Sequence, residues 1–376
     1  MDNDLESQLD SLPSDLQRRL KEFGFDREWY LEEAAGLTRE GRSDNTVRGV
    51  VEPPEPGDVA DLPAVGSDER AALERLGREA LAAGQCVLVV LAGGMATRMG
   101  GVVKALVEAL PGKTFLDLRL AEQRALEEDL GRPVPLWLMT SHATDEAIRQ
   151  ALGPRLDGYH VATFPQQVSL RLDADGGLFR DDRGQPSEHS PGHGDLPEAL
   201  QRSGLLDRFV SEGGRCVTTA NLDNLGATLD PVVIGHHLST TSQMTCEVVD
   251  KHGSDRGGIP ARLDGRPLIL EEFRIPSGFD PSEVRVFNTN TFHFDAAALR
   301  DLDMDWTYFV VKKEVDGRPA IQLERLVNEV ASHLDTGFVR VPRDGAGSRF
   351  LPMKDDSDIE AKRSTLEAVA ADRGMI

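Results

Sequence analysis

Residues 86–94 read CVLVVLAGG, a continuous apolar run that stops at two glycines. A strand that is apolar on both faces must be covered on both, which is the condition of an interior strand in a parallel sheet. The glycines then open a loop at its carboxyl end. Working outward, PLWLMTS (135–141) and RCVTTANLDN (215–224) repeat the pattern, and ATDEAIRQALG (143–153) has helical character. This alternation predicts a doubly wound α/β fold whose ligands bind where the strands end. MTCEVVD (244–250), RPLILEEF (266–273) and VRVFNTNTFHF (284–294) predict an antiparallel extension, and ERLVNEVASHL (324–334) a late helix.

Toward the N-terminus, Leu5, Leu9, Leu12, Leu16, Leu20 and Phe23 recur at helical spacing. Residues 51–66 (VEPPEPGDVADLPAVG) are rich in proline and glycine and read as a linker. SDERAALERLGREALAAG then predicts a helix capped by Ser67 and stopped at Gly84. The expected division is 1–84 as helical segment and linker, 85–335 as catalytic domain and 336–376 as a short C-terminal region.

Sixty-four acidic against 42 basic residues give a net charge of −22. Such a surface repels phosphate backbones, so neither nucleic acid nor an anionic membrane is an expected partner. The three cysteines are dispersed and form no CxxC pair, which argues against a disulfide framework or a zinc knuckle and fits a reducing compartment. The N-terminus MDNDLESQLD is acidic, unlike a signal peptide, and no apolar run approaches the ~20 residues that span a bilayer. A cytoplasmic location is expected; the oligomeric state is left open.

The loop that follows the first strand runs Leu91-Ala92-Gly93-Gly94-Met95-Ala96-Thr97-Arg98-Met99-Gly100-Gly101, with Lys104 beyond it. Glycines let backbone N–H groups approach a polyphosphate closely, and Arg98 and Lys104 concentrate positive charge in an otherwise acidic chain. The spacing is neither that of a P-loop nor GxGxxG, which argues against a nicotinamide cofactor.

This loop resembles the signature of sugar-phosphate nucleotidyltransferases. TFLDL (114–118), FPQ (164–166), PGHGD (191–195), SGLLD (203–207), NLDNLGA (221–227), FNTN (287–290), QLE (322–324) and RFLPMK (349–354) narrow the resemblance. Together they are similar to the motifs of UTP–glucose-1-phosphate uridylyltransferases, in family order. The resemblance implies a Rossmann-like, GT-A-type mixed sheet, mainly parallel and flanked by helices. It implies in-line attack of a sugar 1-phosphate on the α-phosphorus of a nucleoside triphosphate, with Mg²⁺ as cofactor and pyrophosphate as leaving group.

Under that reading Asp223 is the metal ligand, and Lys104, Lys354 and Arg98 neutralise phosphate charge. Leu91, Gly93, Gly94, Gln166 and Gly192 bind the nucleotide, with the amide of Gln166 paired to the uracil edge. His193, Glu271 and Asn290 face the sugar phosphate. Four of them have a plainer alternative: Asp223 as the cap of a helix from Leu225, His193 as a turn histidine, Glu271 as an exposed strand residue, Lys354 as a surface lysine. Lys113 reads as a turn lysine without a role.

The chain also departs from the family. Alanine stands at position 96 where glycine is usual, Val103 precedes Lys104 in place of proline, and the loop is one residue shorter. A β-carbon at 96 implies a loop that is bent differently or strained. RFLPMK falls near the end of the sequence, so the β-helical C-terminal domain of the eukaryotic members, and any oligomer built through it, is not expected. Three other functions compete: a relative that activates another sugar- or cyclitol-1-phosphate with GTP or ATP, a metal-dependent glycosyltransferase, and a non-catalytic nucleotide-sugar-binding protein.

Overall fold

The computed structural model describes residues 2–39, 45–96, 99–253, 255 and 257–376. Eight strands form its central sheet: β1 (Val59–Asp61), β2 (Cys86–Leu91), β3 (Leu136–Thr140), β4 (Val161–Pro165), β5 (Cys216–Asn221), β6 (Met244–Asp250), β7 (Val286–Asp295) and β8 (Thr336–Arg340). Their order is β1-β8-β6-β7-β5-β2-β3-β4. Only β7 runs antiparallel to its neighbours β5 and β6. The remaining pairings are parallel.

β2 lies inside the sheet between β5 and β3, as its two apolar faces require. Side chains alternate across the pleat. Val87 and Val89 join a core with Trp137, Met139 and Val217, whereas Leu88 and Val90 join the opposite core with Leu136, Leu138 and Ala220. The helix Phe115–Leu130 covers that second face; Thr114 and Asp117 close a capping box at its start, and Gly131 ends it at φ +67°. Ser67 caps the helix Asp68–Ala82 as expected, accepting from the Arg70 N–H at 3.2 Å.

Two expectations are corrected. Segments 244–250 and 286–295 are interior strands of the main sheet and not an extension of it. Both are buried almost without interruption, so each needs cover on both faces. Ile259–Leu263 and Arg266–Leu270 form a separate three-stranded antiparallel sheet with Val51–Glu52. The stretch 324–334 is not an α-helix. Arg318–Glu324 is a strand, followed by a 3₁₀ segment at Val327–Ser332. Arg325 fixes this outcome, because its N–H donates to the Pro191 carbonyl (2.7 Å) and its carbonyl accepts from the Gly194 N–H (3.0 Å). Backbone groups committed to another loop are lost to a helix.

The segments that flank the core strands also enter the sheet: β1 comes from the proline-rich stretch and β8 from beyond residue 335. The N-terminal helices Asp2–Asp10, Ser14–Glu22 and Arg27–Arg39 form a third core. There Leu5, Leu9, Leu12, Leu16 and Leu20 pack on Val168, Leu170, Leu172 and Leu178. No described helix is long and apolar enough to cross a membrane.

Candidate active site

The carboxyl ends of β2, β3, β4 and β5 open on one side of the sheet. Leu91 closes β2 partly buried, and its carbonyl takes the Leu222 N–H at 3.4 Å. Beyond it the glycine loop is a hairpin: Met95–Ala96 pairs with Val102–Val103, Ala96 opposite Val102. Gly100 (φ +87°) and Gly101 (φ +74°) make the turn, and Ala96 is outside the left-handed region. Alanine at 96 is therefore accommodated without a left-handed backbone. The loop closes where the Lys104 N–H meets the exposed Gly94's carbonyl at 3.3 Å. Thr97 and Arg98 lie outside the described residues.

Lys104 Nζ reaches Asp223 Oδ2 at 2.5 Å, with both side chains more than four-fifths covered. Asp223 is not a helix cap, since the next helix begins at Pro231 under Asp230. Two segments hold the NLDN turn. Arg119, fully buried, donates to the carbonyls of Asn224 (2.6 Å), Ala227 (2.8 Å) and Asn221 (3.2 Å). The Asn224 amide takes the Leu351 N–H (2.7 Å) and donates to the Arg349 carbonyl (3.0 Å). The Met353 N–H then bonds the Asp223 carbonyl at 3.2 Å. Gly226 permits this docking, because a β-carbon there would stand 2.7 Å from the Ser348 carbonyl oxygen. RFLPMK is thus folded against the aspartate turn, and Lys354 follows it exposed, in a cleft of about 590 Å³ with Phe287, Arg343 and Phe350.

Arg349 anchors RFLPMK from below. Its guanidinium grips the buried Glu247 carboxylate, which also receives His293 Nε2 at 2.8 Å. Burial alone would push the Glu247 carboxyl up, but Arg349 and His293 outweigh it and hold it below the ordinary 4.5. Burial opposes a charged His293, yet its contacts with Cys216 and Glu247 raise it above 6.5. The Glu247 contribution to stability is complete above pH 4.5 and fades as pH falls toward its lowered pKa. The His293 contribution is complete below pH 6.5 and fades as pH rises through its raised pKa. Melting temperature should peak between those limits. Glu247→Gln should flatten both sides in a pH series of thermal melts and cost about 3–5 kcal/mol.

On the other flank Gln166 is buried, its N–H on the Thr140 carbonyl at 2.9 Å. Its side-chain amide lies over Gly93, where a β-carbon would come within 2.0 Å of Nε2. Oε1 is buried with no hydrogen-bond partner. Gln167 ties this turn down: its N–H donates to Asp195 and its amide to the Gly24 carbonyl in the N-terminal layer. Asp195, the last residue of GHGD, is buried against Arg325. Gly192 adopts φ +98°, and a β-carbon there would sit 2.8 Å from the Arg325 carbonyl oxygen. His193 Nδ1 accepts from the Val327 N–H at 3.1 Å. Burial pulls its pKa to about 4, so the neutral ring carries its proton on Nε2.

The third flank is built on FNTN. Asn290, at φ +59°, a conformation asparagine tolerates, donates from Nδ2 to Asn221 Oδ1 at 2.8 Å. Glu271 ends the strand Arg266–Leu270 and is not a solvated strand residue. Burial, with Glu329 nearby, pushes its pKa up to about 7, and it accepts from Asn328 Nδ2 at 3.0 Å. Lys113, without an assigned role, bonds the Met375 carbonyl at 3.0 Å.

These contacts join Gly93 with Gln166, Lys104 with Asp223, and Asn221 with Asn290. Only the neighbouring Met353 ties the Lys354 segment to Asp223, and the Lys354 side chain lines a cleft with none of the other assigned site residues. Sequence reasoning assigned no role to Arg119, Gln167 or Arg325. A charged residue between Leu118 and Leu120 on an apolar helix face was the available signal for Arg119.

A family model described as UTP–glucose-1-phosphate uridylyltransferase matches residues 35–374. The chain belongs to this family. The Astragalus penduliflorus UTP–glucose-1-phosphate uridylyltransferase is 31% identical over 299 residues, covering 75% of this chain and 63% of that protein. The Solanum tuberosum protein of the same name is 31% identical over 306 residues, covering 77% and 63%. The chain therefore spans about 63% of the length of these uridylyltransferases.

Two solved structures share the family fold. UDP-glucose phosphorylase from Trypanosoma brucei has a TM-score of 0.74 at 24% identity, over 92% of this chain and 78% of that one. The uridine diphosphate N-acetylglucosamine pyrophosphorylase of the same organism has a TM-score of 0.70 at 21% identity, over 88% and 74%. At these identities the likeness establishes the fold: a mixed, mainly parallel α/β sheet flanked by helices.

Proposed function

We propose that the chain transfers the uridylyl group of UTP to glucose 1-phosphate, releasing pyrophosphate. The observation that carries this reading is the Lys104–Asp223 contact with RFLPMK folded onto the same aspartate through Met353. It joins three motifs that are separated along the chain at one charged centre. The names of the relatives support UTP and glucose 1-phosphate.

Two polyanions must meet, so positioning and charge neutralisation dominate such a reaction. Gln166 Oε1 accepts the uracil N3–H and Nε2 donates to a neighbouring carbonyl, while Gly93 and Gly94 let the nucleotide approach the backbone. Gly192 presents its backbone to the base. Lys104 neutralises the departing pyrophosphate, with Arg98 as a second cation of the loop. Lys354 holds the phosphates as they converge, and His193 donates from Nε2 to a phosphate oxygen. Asn290 and Glu271 take the sugar hydroxyls.

Among the described residues no three His, Cys, Asp or Glu side chains are grouped to bind a metal by themselves. A single carboxylate that already draws an ammonium fits Mg²⁺, which takes one or two carboxylates and completes its shell with substrate phosphates and water. Asp223 would hold it. Bound there, it would offset charge on the reacting phosphates. The three cysteines, buried and unpaired, support a reducing, cytoplasmic setting.

Pyrophosphate release over a grid of four nucleoside triphosphates and several sugar and cyclitol 1-phosphates tests the substrate assignment. UTP with glucose 1-phosphate should lead; preference for GTP, ATP or a cyclitol phosphate would replace it. In the same grid Gln166→Ala should cut the preference for UTP over CTP, read as a ratio of kcat/KM, by at least about tenfold. Unchanged selectivity would remove Gln166 from base recognition.

A further inference from the structure

The sugar-side flank contains a buried polar atom that the roles above leave unused. Asn328 is 1% exposed, and its Oδ1 is buried with no hydrogen-bond partner. Its Nδ2 is committed to Glu271 Oε1. An acceptor left bare in a folded interior costs about 1–3 kcal/mol, so its retention calls for a ligand.

The position of Asn328 says which ligand. The adjoining backbone lies along GHGD, through Val327 N–H to His193 and Gly194 N–H to Arg325. Its amide partner Glu271 lies over Gly258, where a β-carbon would be 2.6 Å from Oε1. The Gly258 carbonyl takes the Asn288 N–H at 2.8 Å, and Asn288 Oδ1 takes the Asn290 N–H at 3.1 Å. Asn328 therefore sits between GHGD and FNTN, on the flank assigned to the sugar. Glu329 is turned away onto Arg274 at 2.5 Å, so Glu271 and Asn328 are left as neighbouring acceptors.

We propose that Asn328 is a specificity-determining residue that, with Glu271, accepts hydrogen bonds from adjacent hydroxyl groups of a polyhydroxylated ring phosphate. This rests on the function proposed above and adds a residue to it. Burial already disfavours the charged form of Glu271, and a hydroxyl donor restores part of the solvation that its carboxylate has lost. Two fixed acceptors side by side reject a ring that lacks one of the two donors, because a buried acceptor is then left bare.

The experiment compares kcat/KM for glucose 1-phosphate and its 2-, 3-, 4- and 6-deoxy analogues in wild type, Asn328→Ala and Asn328→Ser. Wild type should disfavour at least one analogue by about tenfold or more. Asn328→Ala should shrink that factor toward unity, with KM for UTP within about twofold. Asn328→Ser, which restores a short acceptor, should fall between them. Thermal melts confirm that each variant is folded. A wild type that turns over glucose 1-phosphate, with Asn328→Ala slowing every analogue by one common factor, overturns this proposal alone. A wild type that turns over no hexose 1-phosphate overturns it together with the reading on which it rests.

Discussion

Asp223→Asn is expected to lower turnover roughly a thousandfold, equivalent to about 4 kcal/mol of lost transition-state stabilisation, while the protein stays folded. Asparagine keeps the volume and one carbonyl oxygen but removes the charge that attracts Lys104 and would attract a divalent cation. The turn itself does not depend on that carboxylate. Arg119 holds it through the carbonyls of Asn221, Asn224 and Ala227. Met353 holds the Asp223 carbonyl. A thermal melt close to wild type, with activity near zero across a magnesium titration, is the expected pair of results. Full activity at ordinary magnesium would make the carboxylate merely structural.

Lys354→Ala should cost on the order of a hundredfold or more in kcat, with little change in UTP affinity measured by calorimetry. The asymmetry follows from placement. Under the proposed function the base is read at Gln166 and Gly192 on the other flank, whereas Lys354 extends the segment that clasps Asp223. Stability should change by no more than ~0.5 kcal/mol, because the side chain is exposed and its backbone N–H keeps its bond to Asp358 at 2.9 Å. A variant within about twofold of wild type has lost well under 1 kcal/mol, and the second-lysine role would then be abandoned.

The interior position of β2 was legible because CVLVVL has no polar face, and local pattern is a sound guide where burial is two-sided. The late helix failed for the converse reason. ERLVNEVASHL has helical periodicity, but Arg325 is held by Pro191, Gly194 and Asp195, contacts about 130 residues away that no local window contains. The strand at 286–295 was recognised, but its place between β5 and β6 was not. Pairing partners are set by tertiary packing, which a one-dimensional pattern does not encode.

Within the candidate site, the residues singled out by motif were legible as strings, and the residues that hold them in place were less so. Asp223, Lys104 and Gln166 stand in recognisable strings. Arg119 and Asn328 act through backbone carbonyls and a neighbouring carboxylate; a charge on an apolar helix face flags Arg119 without naming its partners, and nothing in the local sequence marks Asn328. Of the two readings of Ala96, a different bend or strain, the absence of a left-handed backbone there removes strain. The left-handed residues of the hairpin are Gly100 and Gly101, where that conformation carries no steric cost.

The central claim, attack by a sugar phosphate on the α-phosphorus of UTP, is tested most directly by following UTP, glucose 1-phosphate and Mg²⁺ with the protein by phosphorus NMR. UDP-glucose and pyrophosphate should appear in equal amounts as UTP is consumed, and added pyrophosphate should drive the reaction back. Intact substrates at enzyme levels that turn over other members of the family, or UDP formed without pyrophosphate, would contradict the account.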